Sequence, residues 1–588
     1  MNILVPVAAA ALVLWIALRF YPRWIGRVFR EDDANAMPSE TFADDRDFVK
    51  SRSHVVFGHH FATIAGAGPI VGPILALAFG WEPVWLWVVL GGIFFGAVHD
   101  MTAMFISVRE RGRSIARIAK DVLGPAGYLL NLVVLIFVLT IVNAIFLNLS
   151  VTALTSAYPM EALGLDPGQR LLGTFEQNGV VMGRIGGIAT TSVFVITAFA
   201  PILGWLIRSR GLSTSAAYGI ASVVCIGSVV AGFAAPISLS GDTWRVLMAV
   251  YVFIACALPV WFILQPRDFT NVQLLYGGML LLFVSILLVG FFHGGAIQAP
   301  TLDITAGERA LNGAIWPILF ITVACGAISG FHSLVATGTT VKQLARESDV
   351  RRIAFGGMML ESFLAILVLV AVASMLPPQE YLRVVYPTGL PSNPILAFAL
   401  GVGRMVNTAM PFVPVAVAAV VGILMIEGFI VTTLDSSVRL ARYLLEEFWD
   451  YLFSGAAPAV VRHPAFNTAI AVGMMFFFAI SGTVRQMWPI FGAGNQLIAA
   501  LALTTVSVWL VQRARQHLFA LLPALFMIAT TMAALFFLLR HHFGTGNLAL
   551  AITATVLLCL SVGVVLIGAT RFSQAVLRPK TVEATAER

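Results

Sequence analysis

The chain has 588 residues, of which 59% are hydrophobic and only 11% charged, with a formal net charge of +7. A soluble domain carries about 25% charged residues, so the missing charge excludes a water-soluble enzyme with a single anchor. The pI near 9.4 would suit a nucleic-acid binder, but the basic residues lie at the ends of apolar runs, where they orient a chain in a bilayer; no nucleic-acid partner is expected.

A spanning helix needs roughly 20 apolar residues. The sequence predicts an all-α polytopic membrane protein of about fifteen such helices, near 3–20, 55–79, 84–107, 125–150, 189–207, 213–235, 246–264, 272–292, 314–341, 354–376, 411–437, 465–481, 488–511, 518–539 and 548–570. The first run has no small-residue cleavage site and is followed by Arg19, Arg23, Arg27 and Arg30. A cleaved signal peptide carries its positive charge before the apolar segment. Residues 1–30 therefore read as a retained extra helix with the N-terminus outside, and residues 31–54, rich in Asp and Arg, as a cytoplasmic linker.

Residues 394–410 are apolar but contain Arg404 and end at Met410-Pro411-Phe412-Val413-Pro414. Counting them as a span would put Arg439 and Arg442 outside, so they are placed as an external interfacial or re-entrant helix. The C-terminus is then cytoplasmic, and Lys and Arg on the cytoplasmic side outnumber those outside by more than three to one, as the reluctance of cationic loops to translocate demands. The longest external loop, about 151–188, is too short for an independent core. That argues against an appended catalytic domain, and no enzyme activity is expected. The tail after Arg571 is expected to be disordered. Cys225, Cys256, Cys325 and Cys559 lie in apolar runs without ligand-like spacing and read as buried hydrophobes rather than disulfides or a zinc site.

Two predicted spans carry reasons to unwind. The second contains Ile64-Ala65-Gly66-Ala67-Gly68-Pro69 and, further on, Pro73; proline lacks the amide that a continuous helix uses, and glycine relaxes the turn before it. The ninth contains Gly326-Ala327-Ile328-Ser329-Gly330-Phe331-His332-Ser333. Unwound backbone in a membrane is tolerated where it lines a cavity or packs inside protein. These helices enter from opposite faces, each opening a set of five spans: 55–235 as a first inverted repeat and 314–511 as a second, with 236–313 as an inserted helix pair and 512–588 as two further helices and the tail. Secondary transporters place the solute between two such breaks. Gly66, Ala67, Gly68, Pro69, Ser329, Gly330, Phe331, His332 and Ser333 are therefore the candidate solute contacts. A half-helix starting near Pro69 points amides and a positive dipole end at an anion, which suits a carboxylate.

Thr432, Thr433, Asp435 and Ser436 lie near the end of the eleventh span. With the carbonyls of Ile64 and Ala65 they would form an oxygen cage for Na⁺; alternatively the hydroxyls bond their own preceding turn and Asp435 pairs with Arg439 at i+4. Glu361 and Glu427 fall inside spans, where a carboxyl is costly and needs a partner; either would serve as a carrier of H⁺, or as a neutral packing group. His59, His60, His99 and Asp100 are placed near cytoplasmic ends as gate contacts, with no metal assigned to them. Asn143, Asn148, Asn495 and Gln496 are available for cavity walls or interhelical bonds. Beyond a possible coupling ion, no cofactor is expected.

From Gly58-His59-His60 through Ile64-Ala65-Gly66-Ala67-Gly68-Pro69 the chain strongly resembles the carbon starvation protein A (CstA) family. The likeness continues through Gly96-Ala97-Val98-His99-Asp100, Gln265-Pro266-Arg267-Asp268, residues 324–340, Gly356-Gly357-Met358-Met359-Leu360-Glu361, residues 432–442 and residues 488–496, most of 50–510. Residues 50–54 depart from the family form. The resemblance implies uptake of peptides or pyruvate under carbon limitation, in a bacterial inner membrane, and a LeuT-like 5+5 inverted-repeat core. Membrane lipids and a small solute are the expected partners. A channel would favour a ring of identical subunits over a chain with its own repeat. An intramembrane enzyme would need a nucleophile and base at depth, and no such set stands out. A nutrient sensor on a transporter scaffold is the remaining alternative to H⁺- or Na⁺-coupled uptake.

Overall fold

The structure is a computed structural model that describes residues 1–44, 48–163, 172–177, 179–259, 262–388 and 392–577. The tail after Arg571 is expected to be disordered, but residues 572–577 continue the last helix, whose packing carries it past Arg571; residues 578–588 lie outside the described residues.

Helices α1 (Leu4–Phe29), α2 (Ser53–Ile64), α3 (Gly68–Ala76), α4 (Trp81–Arg109), α5 (Ile115–Leu154), α6 (Gly186–Ser209), α7 (Thr214–Ala234), α8 (Gly241–Ala257) and α9 (Leu264–Phe292) make the first part of the bundle. The second part holds α10 (Ile315–Thr322), α11 (Ala324–Ala327), α12 (Gly330–Val335), α13 (Arg351–Met375), α14 (Pro394–Ala409), α15 (Val415–Leu452), α16 (Pro464–Ser481), α17 (Val484–Gln512), α18 (Leu518–Gly544) and α19 (Leu548–Leu577). Twelve described helices are long and apolar enough to cross a membrane, and α2 and α3, bent by 43° at their junction, make a thirteenth as a pair. The two remaining predicted spans are made of shorter pieces. The one near 246–264 is the 17-residue α8, and the one near 314–341 is divided among α10, α11 and α12.

Packing sorts the helices. α17 is buried from Met487 to Val511 and lies against α5, α12 and α18, whereas α1 turns most of its surface outward. α5 and α15 pack along each other at the centre. The 40 residues of α5 include a kink at Gly124 (φ 84°). A side chain there would be strained in any case, and its Cβ would meet the Arg571 guanidinium at 2.4 Å; Arg571 Nε donates to the Leu123 carbonyl at 2.9 Å, so α19 clasps the kink.

Three expectations change. Residues 394–410, placed outside as an interfacial or re-entrant helix, form the 16-residue α14, which is buried for most of its length between α13 and α15, so the interfacial alternative fails. Its Arg404 is neutralised by a two-pronged pairing with Glu380, at 2.7 and 2.6 Å. Burial raises the Glu380 carboxyl, but hydrogen bonds from Arg404 and Tyr158 outweigh it and hold the group below its ordinary value. Charge in α14 therefore does not mark surface; it marks a partner. Second, residues 31–54 are not a free linker. The Asp32 amide and Asn35 Nδ2 each donate to Glu347 at 2.8 Å, Arg109 Nε pairs with Glu347 at 2.8 Å, and Asp33 accepts from Ser348. This ties the segment to the loop after α12 and to the end of α4. Third, Cys559 is exposed on α19, while the other three cysteines are buried as expected.

The bundle is not wholly helical. In the loop between α5 and α6, β1 (Ala157–Pro159), β2 (Thr174–Gln177) and β3 (Val180–Arg184) form an antiparallel sheet in the order β1-β3-β2, with Tyr158 opposite Gly183 and Phe175 opposite Met182.

Candidate functional site

Both predicted breaks are present. α2 stops at Ile64 because Ala65 leaves helical geometry (φ −73°, ψ 58°), and α3 restarts at Gly68 with Pro69 in its first turn, where a missing amide costs nothing. The Gly66 amide donates back to Ile64 at 2.7 Å, and the Ala67 carbonyl accepts from Val71 at 2.8 Å. Among the described residues the amides of Ala67 and Gly68 have no acceptor. The second break is two extended residues, Ile328 and Ser329, between α11 and α12. Every residue from Ile64 to Ala76 and from Ala324 to Thr337 is buried.

The two broken helices lie side by side and run antiparallel. His60 Nδ1 bonds Thr340 Oγ1 at 2.9 Å near one end. Further along, a Cβ on Gly68 would stand 2.3 Å from Cys325 Cβ, and one on Gly72 would stand 2.8 Å from the Thr322 carbonyl. As one chain number rises along the contact, the other falls. Glycine is required at Gly68 and Gly72 because the partner helix occupies the space of a side chain.

The solute candidates divide between these breaks. Gly66, Ala67, Gly68 and Pro69 keep the arrangement the sequence predicts, with free amides at a helix start. At the second break the polar groups are largely taken. Ser329 Oγ and the Phe331 amide donate to Asn495 Oδ1 at 3.3 and 3.1 Å, Asn495 Nδ2 reaches Cys325 Sγ at 3.4 Å, and Ser333 Oγ donates to the Gly330 carbonyl at 2.7 Å. Asn495, one of four amides read only as general wall or packing groups, is the residue that closes this break. Asn495→Ala would orphan the buried Phe331 amide, at a cost of about 1–3 kcal/mol. We expect a lowered thermal midpoint in detergent, and an unchanged one would show that the cap is dispensable.

His332 is not free for solute. Its Nδ1 donates to Asp100 at 2.8 Å, its Nε2 stands 3.3 Å from Glu361, and His99 Nδ1 donates to the other Asp100 oxygen at 2.8 Å. All four side chains are completely buried. Placing His99, Asp100 and His60 at cytoplasmic gates is corrected by helix length. α4 runs on to Arg109, which sets His99 about 15 Å from that end, and α2 begins at Ser53, about 10 Å before His60. Only His59 is exposed as a gate residue would be. Wide π-type turns at Trp87–Gly96 and Arg351–Phe355 precede Asp100 and Glu361 on their helices; such turns recur at functional sites. Among the described residues neither Glu361 oxygen accepts a hydrogen bond.

The structure does not gather the predicted cation cage. Thr433 Oγ1 faces the first break, 3.0 Å from where a Gly66 Cβ would be, and Ile64 and Ala65 lie beside it in the break. Thr432 Oγ1 instead donates to Asp268 at 2.8 Å and lies 3.4 Å from Arg267 Nη2. Asp435 pairs with Arg267 Nη1 at 2.6 Å and accepts from Tyr251 at 2.9 Å. Its pairing with Arg439 at i+4 is absent; Arg439 donates to the carbonyls of Ala255 and Leu258. Ser436 is half-buried. Sequence reasoning missed Arg267, counting it as a loop cation, although it begins the 29-residue α9 and is 1% exposed. The signal was a charged pair, Arg267-Asp268, bounded closely by apolar runs. Glu427, on α15 two turns before Asp435, accepts from Ser150 on α5.

A family model described as carbon starvation protein CstA matches residues 2–393 and 388–534. The peptide transporter CstA of Bacillus subtilis (strain 168) is 31% identical over 585 residues, covering 92% of this chain and 91% of that protein. The peptide transporter CstA of Escherichia coli (strain K12) is 31% identical, with 91% and 80% covered. The pyruvate/proton symporter BtsT of the same strain is 28% identical, with 90% and 80% covered. Among solved structures, MhsT in complex with L-phenylalanine aligns at a TM-score of 0.44 and 12% identity, covering 88% of this chain and 99% of that one.

Proposed function

The chain belongs to the carbon starvation protein CstA family, and from that premise we propose that it takes up a small carboxylate-bearing nutrient, a short peptide or pyruvate, by alternating access coupled to protons. It is a polytopic membrane protein whose relatives are transporters, and the reading places it in the bacterial inner membrane with its N-terminus outside and its C-terminus in the cytoplasm. The observation that carries the proposal is the antiparallel crossing of two broken helices, with Asp100, His332 and Glu361 buried against it. The free amides of Ala67 and Gly68, at the positive end of α3, suit a carboxylate. The crossing agrees with an inverted-repeat core of the LeuT kind.

Protons are favoured over sodium by two features. Arg267 already brings a fixed positive charge to Asp435 and Thr432, and a second cation there would be repelled. The Asp100–His332–Glu361 array changes its net charge by one with each proton. With an imidazolium between the two carboxyl groups and one further proton held, the charges cancel; without that proton a net negative charge remains in a site closed to water, which is costly. Opening the array to one side and then the other would bind and release the proton in step with the solute. The test is uptake of labelled pyruvate and of a labelled dipeptide into proteoliposomes, with imposed proton or sodium gradients. Accumulation driven by the proton gradient and indifferent to sodium is expected; uptake indifferent to both gradients, or driven by sodium alone, overturns the coupling.

A further inference from the structure

The peripheral face of α1 carries a feature that transport leaves unused. Between α1, the start of α2 and the first half of α13 lies a groove of about 650 Å³. Its walls are apolar: Leu14, Trp15 and Leu18 on one side, Met359 and Phe363 on the other, with Phe57 of α2 at its back. Trp15 and Leu18 are 60% and 41% exposed, as expected of side chains facing lipid.

One end of the groove is basic. Arg23, Arg351 and Arg352 gather there, on the side that the positive-residue asymmetry assigns to the cytoplasm. Arg351 is committed to Glu31 at 2.7 Å. Arg23 and Arg352 are exposed, and neither makes an ion pair or side-chain hydrogen bond among the described residues. From Ala11 to Arg23 the groove follows α1 for about 18 Å, close to the depth of one leaflet, about 15 Å. A molecule that fills it has an apolar body one leaflet long and an anionic head at the cytoplasmic surface.

We propose that this groove binds an anionic phospholipid of the cytoplasmic leaflet, its phosphate held by Arg23 and Arg352 and one acyl chain laid between α1 and α13. The charge complementarity selects it: two unpaired guanidinium groups above an apolar slot attract an acidic headgroup, and a neutral zwitterion gains less from them. The lipid would touch Phe57, on the first half of the broken helix pair, and so would bear on the element that the transport cycle moves.

The test uses the full chain in detergent with added dioleoyl phosphatidylglycerol or dioleoyl phosphatidylcholine, read by native mass spectrometry and by thermal midpoint. Phosphatidylglycerol should remain bound and raise the midpoint more than phosphatidylcholine does. R23A/R352A removes only exposed groups without partners, so its midpoint in phosphatidylcholine should match the wild type, while its phosphatidylglycerol affinity falls about tenfold. Gly356→Leu, which fills the slot and leaves the charges in place, should lose the same retention. Equal phosphatidylglycerol retention in all three proteins, or equal retention of the two lipids by the wild type, overturns the proposal.

Discussion

Glu361→Gln is expected to abolish proton-driven accumulation while leaving exchange of labelled for unlabelled solute in place. One proton moving down a gradient of one pH unit releases about 1.4 kcal/mol, which sustains roughly tenfold accumulation of the solute at zero membrane potential. The variant should accumulate about onefold, the level of simple equilibration. Gln keeps the volume of Glu361 and cannot exchange a proton, and no hydrogen bond to either Glu361 oxygen is lost, because among the described residues neither accepts one. Folding should therefore survive, and exchange measures that directly, since it needs a solute site and alternating access but no net proton movement. Full accumulation by Glu361→Gln would remove this residue from the coupling path, and parallel loss of exchange would assign it to solute binding or to structure. Glu427 supplies the contrast. It is equally buried, but it bonds Ser150 on α5 and has no histidine to trade a proton with, so Glu427→Gln should cost stability more than coupling.

The breaks were legible because proline and glycine are local signals: Pro69 cannot donate within a helix, and Gly66 and Gly68 sit just before it. The neighbours of the breaks were not, because pairing across a bundle has no sequence period. Nothing in the spacing of Asp100, His332 and Glu361 says that three helices turn these groups toward one point, and a histidine at depth reads equally as solute contact or as half of an ion pair. Arg267 was misjudged for a related reason. Lys and Arg at the end of an apolar run usually mark the membrane surface, and that average hides the one cation drawn inward by Asp435. Arg404 misled in the same direction, since Glu380, its partner, stands in a separate short helix. Asn495 was unreadable because capping a break from another helix leaves no trace in the sequence of the break itself.

Gly68→Leu should eliminate uptake, and the reason can be separated from general misfolding by a compensating change. A Cβ at this position would lie 2.3 Å from Cys325 Cβ and 2.4 Å from its Sγ, but 3.7 Å from Cys325 Cα. The obstacle is thus the cysteine side chain and not the backbone behind it. Gly68→Ala alone must push the crossing helices apart, and overpacking of this kind costs about 1–3 kcal/mol; the same displacement would disturb the amides of Ala67 and Gly68 at the start of α3. Cys325→Gly vacates that space, although it also gives up the Asn495 contact to sulfur at 3.4 Å. Gly68→Ala is therefore expected to lower uptake about tenfold or more, and adding Cys325→Gly should return much of that loss, a coupling that residues in contact show and distant ones do not. Gly72→Ala gives the control. Its Cβ would meet the Thr322 carbonyl at 2.8 Å and Val323 Cα at 3.2 Å, both backbone, so Cys325→Gly should leave its defect unchanged. If Cys325→Gly rescues neither glycine variant, or both equally, the two broken helices do not meet at Gly68 and Cys325, and the antiparallel crossing on which the solute site is built fails with them.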